Sequence, residues 1–400
     1  MNARAVDPAA AGGPALSAAL ATGPITVERV EGKAAMKEFL TFVGRIFAND
    51  PNWVAPLLFE RFDHLNPIRN PFFANAEVAY WIARRDGRPV GRISAQVNRA
   101  HLERHRDATG QFGFLDAIDD AAVFGALIET AETWLRARDI KRVTGPFTLS
   151  INDESGLLVD GFDSPPYMMM GHAFPYYAER LEECGYHKAV DLLAYLYDFQ
   201  AEIPPRVQKL LDNPAKRSSL SFRPMNMKRF DEEIATIVEI FNDAWQDNWG
   251  FVPFNDAELA YLGKSLRPIV SADFVAIGEV NGKPASMAVT LPNLNEAIRD
   301  LGGRLLPFGW ARLLWRLKVR GTDTVRLPLM GVKREYHNTA TGGALAYGVI
   351  ERIRKHHTAI GTRHAELSWI LESNGPMRAM IELLGTHVHK RYRVYEKALA

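Results

Sequence analysis

The stretch VKREYHNTATGGALAYGVIERI, residues 332–353, runs from the end of a β-type segment at Val332, through a polar loop and Gly342-Gly343, straight into a helical pattern. Such a junction aims backbone N–H groups and the positive end of a helix dipole at one spot, which suits a diphosphate. Glycines there let an anion approach the backbone closely. An ordinary strand-to-helix turn can look the same, so the neighbouring sequence has to decide.

Downstream, HAELSWIL (364–371) alternates as a strand, Asn374 follows, GPMRAMIELL (375–384) reads as a helix, and RYRVYEK (391–397) closes as a strand. Upstream, FVAIGEVNGKPASMAVTL (274–291) is two β-type runs around Asn281-Gly282, the residues a tight hairpin needs. The same grammar occurs earlier, where YWIARRDGRPVGRISAQVN (80–98) turns on Asp86-Gly87 and LEECGYH (181–187) reads like IELLGTH (381–387). The two matches are offset by 195 and 200 residues, which points to a tandem duplication. Strands alternating with helices, plus a hairpin, predict an α/β fold with a mixed sheet in each copy.

The expected organisation is a disordered tail over 1–24, a first domain over 25–200, a linker over 201–219 and a second domain over 220–400. The Ala/Gly/Pro-rich tail is broken by Gly-Gly-Pro at 12–14, unlike the apolar core of a secretory signal. No stretch reaches the ~20 apolar residues of a membrane span. A net charge of +1 supplies no global pull towards nucleic acid, and the single Cys184 cannot form an internal disulfide. These features predict a cytoplasmic protein.

The C-terminal order of elements resembles the GNAT acetyltransferase superfamily, and the order WQDNWGFVPF, LPNLNEAI, GGRLLPFG, MGVKREYH and SWILESNGPM resembles its bacterial tandem group that includes the ceramide synthases. That resemblance implies a tandem GNAT fold, a mostly antiparallel sheet flanked by helices, and acyl-CoA as a co-substrate with no permanently bound cofactor. It places Asn338, Thr341, Gly342, Gly343 and Ala344 in the CoA cradle, Asn374 on the cofactor, and the Val332 amide at the oxyanion. It further implies a fatty acyl group passed to the amine of a long-chain, sphingoid-type base. An amino acid, small amine or protein side chain as acceptor, or a non-catalytic acyl-CoA binder, stays open. Three departures bear on chemistry. The cradle has Asn338 and Thr341 where the family usually has Gln or Arg and Gly, which would alter diphosphate binding. The family's proton-donating tyrosine is replaced by Ile381, and by Leu181 in the first copy. Asp119-Asp120 stands where the first copy would need a phosphate site.

Acyl transfer to an amine needs a base, for which Glu366 and Glu372 around the strand before Asn374 are the candidates, with Glu335 and His337 behind them. No metal set is recognisable: His101 and His105 at i, i+4 read as a solvated helical face, and His356-His357 and His387/His389 are unspecific. The stretch RLLPFGWARLLWRLKVR (304–320) carries five basic residues and no acidic one. It reads either as a core helix with a basic edge or as a peripheral contact with the inner membrane.

Overall fold

The computed structural model describes residues 23–202, 204–211 and 219–399, so most of the 1–24 segment and part of 201–219 lie outside the described residues. Within them the chain builds one continuous mixed sheet. The first half supplies β1 (Ile25–Arg29), β2 (Ala76–Arg85), β3 (Arg88–Asn98), β4 (Thr109–Ala117), β5 (Arg142–Gly145), β6 (Leu157–Asp160) and β7 (His187–Asp198). The second supplies β8 (Leu220–Pro224), β9 (Val275–Val280), β10 (Lys283–Pro292), β11 (Thr324–Val332), β12 (His364–Leu371) and β13 (His387–Ala398).

Both hairpins form where the turn residues require them. Asp86 and Gly87 have φ of 49° and 74°, Asn281 and Gly282 of 51° and 76°. Positive φ at both central positions matches the twist of the flanking strands. Each half then repeats the order strand, long helix, strand, short helix, strand, with β6 inserted before the short helix of the first half. The long helices are Ala121–Arg136 and Ala340–Ala359, the short ones Tyr176–Glu183 and Gly375–Glu382. Each short helix is followed by a glycine with φ above 80°, Gly185 and Gly385, which turns the chain into the closing strand.

The strand order is β1-β2-β3-β4-β5-β13-β7-β12-β11-β10-β9-β8. The closing strand of each half therefore lies against the other half: β13 pairs with β5, and β7 pairs with β12. β13 and β7 pair with each other along Glu396↔His187 to His387↔Leu196 and join the two sheets. The segment 141–151 is strand only from Arg142 to Gly145, although the Phe147 N–H beyond it still bonds the Phe112 carbonyl of β4.

Buried polar groups pin this frame. His357, fully buried on the long second-half helix, holds Thr290 of β10 through Nε2 (2.9 Å) and Thr362 through Nδ1 (3.1 Å), beside Phe199 and Phe274. Burial pulls its imidazole down to about 3, and the neighbouring His356 adds to the effect. The folded protein thus keeps His357 neutral at pH values where the unfolded chain protonates it. Its contribution to stability is complete above the unfolded value of roughly 6.5 and is lost as pH falls from there towards 3. Thermal melts of His357→Gln and the parent should therefore differ most near neutrality and converge as the pH drops towards 4. A gap independent of pH would contradict the assignment.

Candidate active site

The parallel pair β11 and β12 stays in register for only four residues, Thr324–Leu327 against His364–Leu367. Beyond Leu327, β11 continues with β10, whereas β12 continues with β7. The strands diverge, and a cleft of about 610 Å³ opens between them.

Val332 stands at the free end of this wedge. The Lys333 N–H donates to Ala285 of β10 (2.8 Å), so the alternation of a strand turns the Val332 amide the other way, into the opening. Two neighbouring groups obey the same parity. The Met330 carbonyl accepts from the Trp245 indole (3.0 Å), and the Val332 carbonyl accepts from His337 Nε2 (2.7 Å). The latter bond places the proton of a neutral His337 on Nε2 and leaves Nδ1 as an acceptor.

The helix Ala340–Ala359 starts beside this point. Thr339 caps it: its hydroxyl accepts from the Gly342 N–H (3.0 Å) and donates to the Tyr336 carbonyl (2.7 Å). The two glycines have different work. A Cβ on Gly342 would meet the Tyr336 carbonyl oxygen at 2.1 Å, so the turn itself excludes a side chain there. A Cβ on Gly343 would meet nothing within 4 Å, so the space in front of it is open. Val332, Asn338, Gly342, Gly343 and Asn374 all line the cleft, whereas Thr341 and the buried Ala344 do not. Asn374 caps the last helix, its Oδ1 accepting from the Met377 N–H (3.1 Å).

The glutamates stand elsewhere than a cleft base requires. Glu366, which alternation with apolar residues leaves either facing the cleft or as a buried charge, is fully buried and turns to the opposite face from its cleft-lining neighbours Ala365 and Leu367. There it accepts from Ser368 Oγ (2.6 Å) and from His389 Nε2 (2.9 Å). Ser368 does line the cleft, and its hydroxyl also accepts from Arg326 Nε (2.9 Å). Burial holds the Arg326 guanidinium below its ordinary value, with Glu366 opposing that shift. Glu372 is bound outside the opening to Lys188 Nζ (2.7 Å) and the Asp191 N–H (3.0 Å). Glu335 is exposed. Sequence reading missed Ser368, Tyr336, Trp245, Trp249 and Trp369, all on the cleft wall. Strand parity puts Ser368 on the face of Glu366, so nothing local marks it or the tryptophans as cleft residues.

The first copy has the same wedge in closed form. After Gly145 the chain remains bonded to β4, Phe147 N–H to Phe112 carbonyl (2.8 Å). The Phe147 carbonyl comes so near Gly113 that a Cβ there would sit 1.7 Å from it. The matching helix start is capped by the Asp120 carboxylate, which accepts from Ala122 and Val123 and pairs with Arg85 (2.7 Å). An anion would meet a like charge there.

His101 and His105 are not the solvated face their spacing suggests. They line a polar pocket of about 570 Å³ against residues 246–252 of the second half. Burial is the main cause that pulls His101 down to about 4. This pocket and the cleft share Asp247, Asn248 and Trp249 as walls. Among the described residues no group of three His, Cys, Asp or Glu could hold a metal ion, and no helix is long and apolar enough to cross a membrane.

Comparison with known proteins follows the same line. No protein-family model matches the chain. It is 46% identical over 376 residues, 94% of this chain and 98% of the relative, to "Bacterial ceramide synthase" of Caulobacter vibrioides. It is 45% identical over 368 residues, 92% of this chain and 94% of the relative, to "Protein YghO" of Escherichia coli. Among solved structures, a tandem GNAT protein from the clavulanic acid biosynthesis pathway superposes with a TM-score of 0.57 at 15% identity, covering 94% of this chain and 99% of its own. A GCN5-related N-acetyltransferase from Sphaerobacter thermophilus gives a TM-score of 0.53 at 14% identity, covering 94% and 97%. These structures establish the tandem GNAT fold.

The two glycines give a test of the cradle. Gly343→Asp places a carboxylate in open space, so the melting temperature should stay near the parent's while acyl-CoA binding weakens by about a hundredfold or more, as expected for like charges held close together. Unchanged affinity in isothermal titration would remove the cradle. Gly342→Ala should instead lower the melting temperature.

Proposed function

The chain belongs to the bacterial ceramide synthase family of N-acyltransferases, and on that footing we propose that it transfers a fatty acyl group from acyl-CoA to the amine of a long-chain, sphingoid-type base. The observation that carries this reading is the open wedge: a glycine cradle, an amide aimed into the opening, and Trp245, Trp249 and Trp369 on the walls. In it, the diphosphate of CoA lies at the start of the helix Ala340–Ala359, over Gly343, and displaces the Thr339 hydroxyl from the Gly342 amide. Asn338 and Asn374 flank the pantetheine arm.

When the amine attacks the thioester carbon, its oxygen gains charge and the Val332 N–H stabilises it. The amine must also lose a proton. Ser368 Oγ is the group on the cleft wall that can take it while passing its own proton to Glu366, with which it already shares a hydrogen bond. His389 and Arg326 hold the carboxylate and the hydroxyl in place. As the C–N bond forms the C–S bond breaks, and the thiolate takes a proton from Tyr336, the cleft tyrosine on the cradle side. Glu372 anchors the end of β12 in this scheme. The first copy, with its wedge closed by residues 146–147, binds no CoA and shapes the acceptor side.

A water-insoluble acceptor has to be collected from a membrane, and the surface offers a place. Around the helix Gly309–Trp315, Leu305 and Leu313 pack inward on Val54, Leu57 and Ile298. Leu306 (81% exposed), Phe308 (71%), Val319 (72%), Trp310, Leu314 and Trp315 face outward among Arg312, Lys318 and Arg320. An apolar ridge with a cationic rim fits the interface of an anionic bilayer on the cytoplasmic side.

Three measurements check the proposal. Purified protein given palmitoyl-CoA and a sphingoid base should release free thiol and form the amide; release with small amines alone would change the acceptor class. Ser368→Ala and Glu366→Gln should each slow turnover by about a hundredfold at unchanged acyl-CoA affinity, and a parental rate in either would dismiss the relay. Replacing Trp310 and Trp315 by Ser should weaken sedimentation with phosphatidylglycerol vesicles by about tenfold. Equal sedimentation would dismiss the ridge.

A further inference from the structure

The cleft does not stop at the vertex of the wedge. It continues on the cradle side of the sheet, beneath the helix Ala340–Ala359, into the layer where helix and sheet side chains ordinarily interlock. Ala346, Ile350 and Ile353 descend along one face of that helix from Gly343, and Met380 of the last helix stands opposite. Phe199 and Thr290 line the space with Ile353 at its deep end, and all three are buried. Thr290 presents no spare hydroxyl hydrogen there, since its Oγ1 already donates to the Phe274 carbonyl (2.8 Å) and meets His357 (2.9 Å). An apolar void of this kind stays dry and weakens a fold unless something fills it.

We propose that this space is the pouch for the donor's acyl chain, and that Phe199, Thr290 and Ile353 form the end wall that sets the longest chain accepted. This rests on the acyltransferase reading above. Three features support it. The pouch lies on the same face of the sheet as the cradle, so it is reached from the donor's side, whereas Trp245 and Trp249 stand towards the junction with the first half. Its walls are mainly apolar, and the Arg354 guanidinium that also borders it is held by Glu351 (2.7 and 3.1 Å). Its length is set by the helix: the seven residues from Ala346 to Ile353 advance about 10 Å. An extended chain advances roughly 1.2 Å per bond, so a pouch of that reach takes about eight or nine bonds. Phe199 follows β7, so the first half contributes one side of the end wall.

The test compares butyryl-, decanoyl- and palmitoyl-CoA in the parent, in Ala346→Phe, which fills the pouch midway, and in Phe199→Ala, which deepens it. Ala346→Phe should lower kcat/KM for palmitoyl-CoA by at least about tenfold, in line with the discrimination apolar pockets achieve. Butyryl transfer and affinity for free CoA should stay within about twofold of the parent. Phe199→Ala should move the preference towards longer chains. A parental chain-length profile in both folded variants would overturn the pouch. So would a change confined to the chain length of the amine, which would hand the space to the acceptor. If Ala346→Phe does not fold, Ile350→Trp at a half-buried position serves instead. Binding followed by tryptophan fluorescence separates the two readings. Absence of turnover with every donor and amine tried would sink the acyltransferase proposal. The pouch would still stand or fall on whether the parent binds palmitoyl-CoA more tightly than CoA and the filled variant does not.

Discussion

Two parallel strands that part company after four residues govern most of what is unusual in this molecule. β11 remains committed to β10, and β12 to β7, so neither can follow the other beyond Leu327 and Leu367. Of the backbone groups released by that divergence, the Met330 and Val332 carbonyls are taken by Trp245 and His337, and the Val332 amide is left facing a space. Buried backbone polar groups are otherwise nearly always paired. The helix start, the capped Asn374 and the tryptophans across the gap gain meaning only because the strands separate there.

The two halves make a natural comparison, since the same elements occur in the same order. In the first, the chain after β5 stays stitched to β4 by the Phe147 amide, and Asp120 covers the helix start with its own charge. In the second, the strand runs clear and the helix start carries a neutral Thr339, whose hydroxyl can rotate away. A difference of a few side chains and one hydrogen bond thus separates a closed wedge from an open one. Copies of a fold can diverge in function this way without disturbing the strands that hold them together.

Much of this was readable in advance where the demand is local. Asp86-Gly87 and Asn281-Gly282 announce their hairpins because positive φ is costly for most other pairs. Gly342-Gly343 marks a turn for the same kind of reason, although the separate tasks of the two glycines emerge only from what surrounds each. Glu366 shows where such reading stops. Alternation puts it on the face opposite Ala365 and Leu367, but alternation is silent on which face opens to the cleft. Likewise β7 and β13 have equivalent patterns and follow equivalent helices, so nothing local tells either one which sheet to join. Ser368, Trp245 and Trp249 meet at the cleft through that long-range pairing alone.

The exchange of closing strands has a consequence for how the chain is made. β5 ends at Gly145, and its partner β13 begins at His387, about 240 residues later. At the usual pace of synthesis, roughly 5–20 residues per second, the edge of β5 waits on the order of 10–50 s on the ribosome for its mate. An uncovered edge is an invitation to pair with strangers. β7 leaves the ribosome in that interval with a complementary pattern, so a nascent first half has a temporary neighbour to hand that it must surrender when the true one arrives.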